Sequence, residues 1–278
     1  MTNTQEWWER FWSERIPKDV TTNKEPETWY DLVWQVAFDY WYELFEKLAP
    51  GKRMLECGCG SARVSQYMAQ RGYQCTLLDS SEQALSIARR NFESLSLDGQ
   101  FILGDMNALC LRDQQFDAVY SGGVLEFLDD LEHPIKEMVR VLKPAGIFAA
   151  NIVPPKFSIQ SIADIERTAA YSVRNLARGR FGEVFRRVRQ IPCGYQVKPW
   201  SLKDYVRACE EAGLASATGL VTTPFPALAL PRVAHKLYAR AMRALLPQWR
   251  RFNESRSRWT EVWGIGYAIH GIKRDSRE

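Results

Sequence analysis

Glu56-Cys57-Gly58-Cys59-Gly60-Ser61-Ala62 joins a run of strand character to a run of helical character. Glycines at such a junction permit a tight turn and let a ligand approach the backbone, and the start of a helix offers unpaired amide donors. Asp79 stands 21 residues past Gly58, at the end of the next strand-like run. A carboxylate there can accept both hydroxyls of a ribose, as in dinucleotide sites. Asp105, in Gly104-Asp105-Met106 after a third strand, can accept from an adenine amino group. Glu126 follows a fourth strand and is the best-placed acid for removing a proton; its structural alternative is to bond the neighbouring loop. Tyr30 and Tyr195 fall in segments suited to covering a pocket and could orient an acceptor hydroxyl or ring. His133, His235 and His270 have no obvious acid partner, so a histidine proton shuttle is not favoured.

Cys57 and Cys59 have the C-x-C spacing that can begin a zinc site, but Cys75, Cys110, Cys193 and Cys209 are isolated. The expectation is therefore loop and core thiols, no metal and no disulfide framework. A dinucleotide oxidoreductase is the rival reading of the loop. Its phosphate cradle needs G-x-G-x-x-G, and Arg63 stands where the third glycine would be.

The elements that must position these residues alternate. Strand character at 53–56, 74–79, 101–103, 116–120 and 147–152 is interleaved with helical character at about 61–71, 81–95 and 134–142. That order implies βαβ units and a parallel sheet with right-handed crossovers, with ligands bound at the carboxyl ends of the strands. A helix at 201–212, capped by Ser201 and ended by Gly213, precedes a strand at 215–222, and 263–272 alternates well enough for a closing strand. Residues 1–50 hold 12 of the 34 aromatic residues. Within them, Trp29 to Leu48 has helical length, with Leu32, Val36, Tyr40 and Leu44 at four-residue spacing. That helix is either core packing or a lid whose rings line an apolar pocket. The expected architecture is α/β: a Rossmann-like, mostly parallel, seven-stranded sheet with helices on both faces. An aromatic helical extension (1–50) precedes a domain (51–278) with helical lid insertions at about 157–192 and 224–258.

The motifs together resemble the class I S-adenosylmethionine-dependent methyltransferases, in particular the branch acting on small molecules such as quinones. The resemblance rests on E-x-G-x-G after strand one, Leu77-Leu78-Asp79, Gly104-Asp105-Met106, Phe116-Asp117-Ala118-Val119 with Gly123-Val124-Leu125-Glu126, and Val139 to Gly146. It covers 51–153 well and 195–222 and 263–272 more loosely. It implies S-adenosylmethionine as cofactor, with Glu56, Gly58 and Gly60 shaping the loop under its amino-acid end. Asp79, with Ser80 beside it, would take the ribose hydroxyls; Asp105 and the Met106 backbone would hold adenine; Ser121 and Gly122 would pass the methionine portion. Two departures stand out: Ala62 replaces the third glycine, and Phe127 replaces the histidine frequent in the family, so no general base carries over to that position.

The formal net charge is +4, but residues 174–192 hold six Arg against one Glu and 232–258 hold eight Lys/Arg against one Glu. The rest of the chain sums to −8, so the positive charge is local. From Leu230 to Leu246, Val233, Leu237, Ala241 and Leu245 fall on one side of a helix and Lys236, Arg240 and Arg243 on another. Such a helix suits an anionic membrane surface through 230–251, or a phosphate-bearing ligand; a packed helix with a solvated charged face is the alternative. The expected acceptor is a hydrophobic small molecule: lipid-like, terpenoid, quinone or polyketide. RNA or protein methylation steered by the arginines is the alternative, although Ser121-Gly122-Gly123 lacks the Asn/Asp-Pro-Pro-aromatic motif of amino-directed base methyltransferases, which counts against nucleic acid. No run of about 18 apolar residues suggests a membrane span. The expectation is a cytoplasmic protein, monomeric or homodimeric, with peripheral membrane contact as an added option.

Overall fold

The computed structural model describes residues 8–9, 11–13, 29–153, 169, 171–189, 198–222, 232–255, 257, 259–260, 264 and 266–274. The strand-like runs form one seven-stranded sheet. Strands β1 (Arg53–Cys57), β2 (Gln74–Asp79), β3 (Gly99–Leu103), β4 (Phe116–Gly122) and β5 (Leu142–Ile152) run parallel. Strand β7 (Gly266–Lys273) pairs antiparallel with β5 and with β6 (Leu214–Thr222), giving the order β3-β2-β1-β4-β5-β7-β6. The helices are α1 (Trp29–Leu48), α2 (Arg63–Ala69), α3 (Glu82–Ser94), α4 (Glu132–Val141), α5 (Phe181–Arg189), α6 (Leu202–Glu211), α7 (Arg232–Ala244) and α8 (Leu246–Glu254).

Both faces of the sheet are covered, which is why its central strands are apolar almost throughout. Met54, Leu77, Ala118 and Ile147 face one side, where Phe38, Trp41 and Phe45 of α1 pack with Tyr67, Met68 and Phe92. Leu55, Cys57, Leu78 and Val119 face the other, against Ile135 and Met138 of α4 and Tyr205 of α6. Local chemistry sets the helix starts. Ser81 Oγ accepts the Ala84 N–H at 3.1 Å, and Ser201 with Asp204 forms a reciprocal capping box.

Several expectations need correction. In α1 only Leu32 of the 32/36/40/44 stripe is fully buried; Val36, Tyr40 and Leu44 are half-buried, and Phe38, Trp41 and Phe45 complete the buried face. A four-residue step overshoots the 3.6-residue turn, so a long i, i+4 series drifts off the contact line. Strand β5 begins at Leu142 instead of 147, taking in the Lys143–Gly146 turn through a register shift against Phe116/Ala118, with Ala145 at φ 59°. In α7, Leu237 and Ala241, with Leu245 beyond its end, are exposed, whereas Tyr238, Ala239 and Met242 face α1. Tyr195 lies outside the described residues, as does the side chain of Tyr30, whose backbone belongs to α1.

The strand order reverses between β1 and β4, and a crevice opens there at the carboxyl ends. Cys57 is in register with Leu78 and with Ser121. The glycine-rich loop, Asp79 and Gly122 therefore emerge side by side.

Candidate active site

At the end of β1 the chain turns sharply. Gly58 and Gly60 sit at φ 68° and 52°, a left-handed conformation open to glycine at no steric cost. Space also demands glycine: a Cβ on Gly58 would lie 2.4 Å from Val124, and one on Gly60 2.5 Å from the Trp12 ring. Ala62, the missing third glycine, also adopts a left-handed conformation (φ 58°) just before α2. The Gly58 and Cys59 amides donate to Leu78 O at 2.8 and 3.0 Å, tying the loop to the end of β2.

Asp79 braces the same loop. Its Oδ2 accepts the Gly60 N–H at 2.8 Å and its Oδ1 accepts the Ser81 N–H at 2.9 Å. Burial pushes its carboxyl up, backbone bonds from Gly60, Ser81 and Ser80 pull it down, and Glu9 nearby adds repulsion. Glu56 is buried below the loop, where its Oε2 accepts the Ser65 N–H at 3.1 Å and the Ser65 hydroxyl. Burial raises it to about 7 against those bonds. Asp105 is exposed, and its Oδ1 accepts the Asn107 N–H at 2.9 Å, which shapes the turn after β3.

These residues border one cavity of about 1310 Å³. Of the nine sequence-derived binding residues, Glu56, Gly58, Gly60, Asp79, Ser80, Asp105, Met106 and Gly122 line it. Ser121 does not; it is held within the sheet in register with Cys57, and its Oγ is buried without a hydrogen-bond partner among the described residues. The wall also includes Trp8, Trp12, Trp34, Tyr120, Phe127 and Asn151, which had not been singled out as site residues. Their type was the available signal: aromatic density before residue 50 and the phenylalanine at 127. The Trp8 and Phe127 rings meet edge to face at 5.1 Å. Glu9 Oε1 accepts the Glu82 N–H at 3.0 Å and so fastens the 8–13 segment to the positive end of α3. Cys57 and Cys59 are buried thiols raised by burial, suited to packing and not to nucleophilic attack.

Glu126 is almost wholly buried, behind the cavity wall and outside its lining. Its Oε1 accepts the Val153 N–H at 3.1 Å, and its backbone carbonyl accepts the Lys198 N–H at 2.7 Å. It thereby holds both ends of the 154–197 segment. Trp200 Nε1 donates to Leu128 O at 3.0 Å and Lys198 pairs with Asp129, which fixes the same junction. Glu126 Oε2 has no hydrogen-bond partner among the described residues, and burial raises the carboxyl to about 7.

The donor set fits S-adenosylmethionine on this geometry. A buried carboxylate lies at the end of β2 for ribose hydroxyls, an acid just past β3 for the base, and a tight glycine-bearing loop at the end of β1 for the amino-acid portion. A family model described as a methyltransferase domain matches residues 55–150. A ubiquinone biosynthesis O-methyltransferase from Azoarcus sp. (strain BH72) is 30% identical over 178 residues, covering 63% of this chain and 70% of that protein. A malonyl-[acyl-carrier protein] O-methyltransferase from Enterobacter lignolyticus is 34% identical over 97 residues, 35% of this chain and 37% of that one. The chain thus spans well under two thirds of the length of the latter relative. Geranyl diphosphate C-methyltransferase from Streptomyces coelicolor A3(2) superposes with a TM-score of 0.60 over 98% of each chain at 12% identity, a likeness of fold. With the glycine loop, both acids and the switch-point crevice arranged as the motifs required, the chain belongs to the class I S-adenosylmethionine-dependent methyltransferases.

Proposed function

We propose that the protein transfers the methyl group of S-adenosylmethionine to a hydrophobic small molecule. One observation carries this reading: a single cavity is bordered both by Asp79 and Asp105 and by Trp8, Trp12, Trp34 and Phe127. Its volume of about 1310 Å³ exceeds the ~300–1,000 Å³ usual for a single small-ligand pocket, so it has room for a second molecule. An aromatic wall favours an apolar acceptor.

The bound cofactor supplies a methyl group already activated on a sulfonium, which leaves the protein the tasks of alignment and exclusion of water. Asp79 accepts the ribose hydroxyls on oxygens whose direction is fixed by the Gly60 and Ser81 amides. Gly58 and Gly60 let the loop turn at positive φ and seat it against Val124 and the Trp12 ring, which shapes this end of the cavity. Trp8, Trp12 and Phe127 shield the reacting end from solvent. Glu126 acts as a positioning residue from behind the wall; Tyr30 and Tyr195 are the proposed groups for orienting the acceptor. Relatives named for ubiquinone biosynthesis and for a malonyl thioester carrier act on different acceptors, so the acceptor class is inferred from the aromatic wall.

The test is calorimetric titration with S-adenosylhomocysteine, followed by transfer of labelled methyl to a panel of phenolic, isoprenoid and fatty acceptors, with tRNA and a basic peptide alongside. The expected result is tight binding that Asp79→Ala weakens, and label on an apolar acceptor. Affinity unchanged by Asp79→Ala, or label on tRNA or peptide alone, overturns the reading.

A further inference from the structure

Nine large hydrophobic side chains are exposed among the described residues. Leu103 and Val153 line the cavity. The other seven all lie from 173 onward, in or beside the two basic segments. Leu237 is 72% and Leu245 46% exposed in the α7–α8 pair; Phe181 and Phe185 are 66% and 63% exposed on α5. Confinement of exposed apolar side chains to the cationic parts of an otherwise acidic chain is the pattern of a docking face.

The α7–α8 pair shows why this apolar surface is not core. Tyr238, Ala239, Met242, Leu246 and Trp249 pack with Leu32, Val33 and Val36 of α1. Arg243 donates to Gln35 Oε1 at 3.2 Å and Arg250 pairs with Glu43 at 3.3 Å, so the pair is anchored to α1 on that side. Leu237, Ala241 and Leu245 recur at four-residue steps on the opposite side and remain exposed. Lys236 and Arg240, also exposed, lie alongside that stripe. The pair therefore has two apolar stripes, and the fold uses one.

We propose that the exposed stripe of α7–α8 docks on an anionic lipid bilayer, placing the cavity beside a membrane-dissolved acceptor. The purpose assigned to docking rests on the hydrophobic-acceptor reading; the docking itself does not. Charge selects the occupant. A second copy pairing through the same stripe would present the same cations and be repelled, and its acidic remainder offers no apolar layer for Leu237 and Leu245 to enter; a nucleic-acid backbone would satisfy the arginines but gain nothing from either leucine. An anionic bilayer rewards both, with apolar side chains at the acyl boundary and cations at the headgroups. The −8 carried by the rest of the chain would turn that face towards the surface. Within 171–185, exposed Phe181 and Phe185 share a short stretch of sequence with exposed Arg174, Arg178 and Arg180, a second element of the same composition.

The experiment is sedimentation of the full chain with phosphatidylglycerol-containing and with pure phosphatidylcholine vesicles, at low and high salt, with S-adenosylhomocysteine titration of every sample. Binding is expected to the anionic vesicles alone and to weaken with salt. Arg240→Gln should lower the partition coefficient about fivefold, and Leu237→Gln with Leu245→Gln about tenfold or more, with unchanged ligand affinity because these positions are outside the cavity. Phe185→Ser tests the second element separately. Absence of binding, equal binding to neutral vesicles, or binding indifferent to the Leu237/Leu245 variant overturns the proposal, as does retention by duplex RNA in place of vesicles. Vesicle binding can fail while S-adenosylhomocysteine still binds, which separates this proposal from the methyltransferase reading.

Discussion

Glu126→Gln tests whether burial is the dominant influence on this carboxyl. In the folded chain burial raises its pKa from 4.5 to about 7, against backbone bonds from Val153 and from its own residue, while Oε2 has no partner among the described residues. A raised carboxyl binds its proton more tightly folded than unfolded. The associated stability is fully present below the unfolded value near 4.5 and is lost as pH climbs towards 7, after which the penalty is constant. A shift of this size corresponds to about 3 kcal/mol at ~1.4 kcal/mol per unit, of which about 2–3 kcal/mol falls between pH 5 and pH 8. The glutamine side chain would keep the acceptor for Val153 and stay neutral throughout, so it mimics the protonated acid. Urea unfolding of both proteins across that range should show the variant gaining about 2–3 kcal/mol on the wild type as pH rises. Glu56, also raised to about 7, is present in both proteins and cancels in the difference. A difference between the two proteins that does not change with pH would show that Glu126 is solvated or paired, and would refute the reasoning.

Other outcomes follow from the loop. Asp79→Ala removes acceptors from Gly60 and Ser81 as well as from the ligand; hydrogen bonds to charged groups are worth ~1.5–3 kcal/mol, so S-adenosylhomocysteine affinity should fall roughly tenfold to 150-fold in calorimetry. Ala62→Gly relieves a left-handed strain of ~1–2 kcal/mol at the entry to α2 against a glycine entropy cost of ~0.5–1 kcal/mol, so the urea midpoint should rise slightly or hold. A clear fall would mean that the methyl group contributes packing. Gly60→Ala drives a Cβ into the Trp12 ring at a positive φ; the expected loss is ~1–3 kcal/mol, with quicker proteolysis of the 8–13 segment. Unchanged cleavage would show that Trp12 does not rest on the loop.

Local signals were sufficient wherever neighbours in sequence determine the structure. The alternation of strand and helix character defined the parallel sheet, and Gly58, Asp79 and Asp105 fall at the ends of β1, β2 and β3 because each lies within two residues of its strand's carboxyl end. Sheet periodicity then fixes the rest: parallel strands in register bring consecutive carboxyl ends to one edge. Tertiary structure decided what depends on contacts distant in sequence. The wall of the cavity is built by Trp8 meeting Phe127 across the fold, and nothing near either residue specifies that pair. Glu126 follows β4 as a catalytic acid would, but it is buried outside the cavity lining, where its side chain accepts the Val153 N–H and its carbonyl the Lys198 N–H. Which stripe of α7 is inside was equally undecidable locally, because Leu237-Ala241-Leu245 and Tyr238-Ala239-Met242 are both plausible apolar faces. The complementary surface of α1 chose the second and left the first outside.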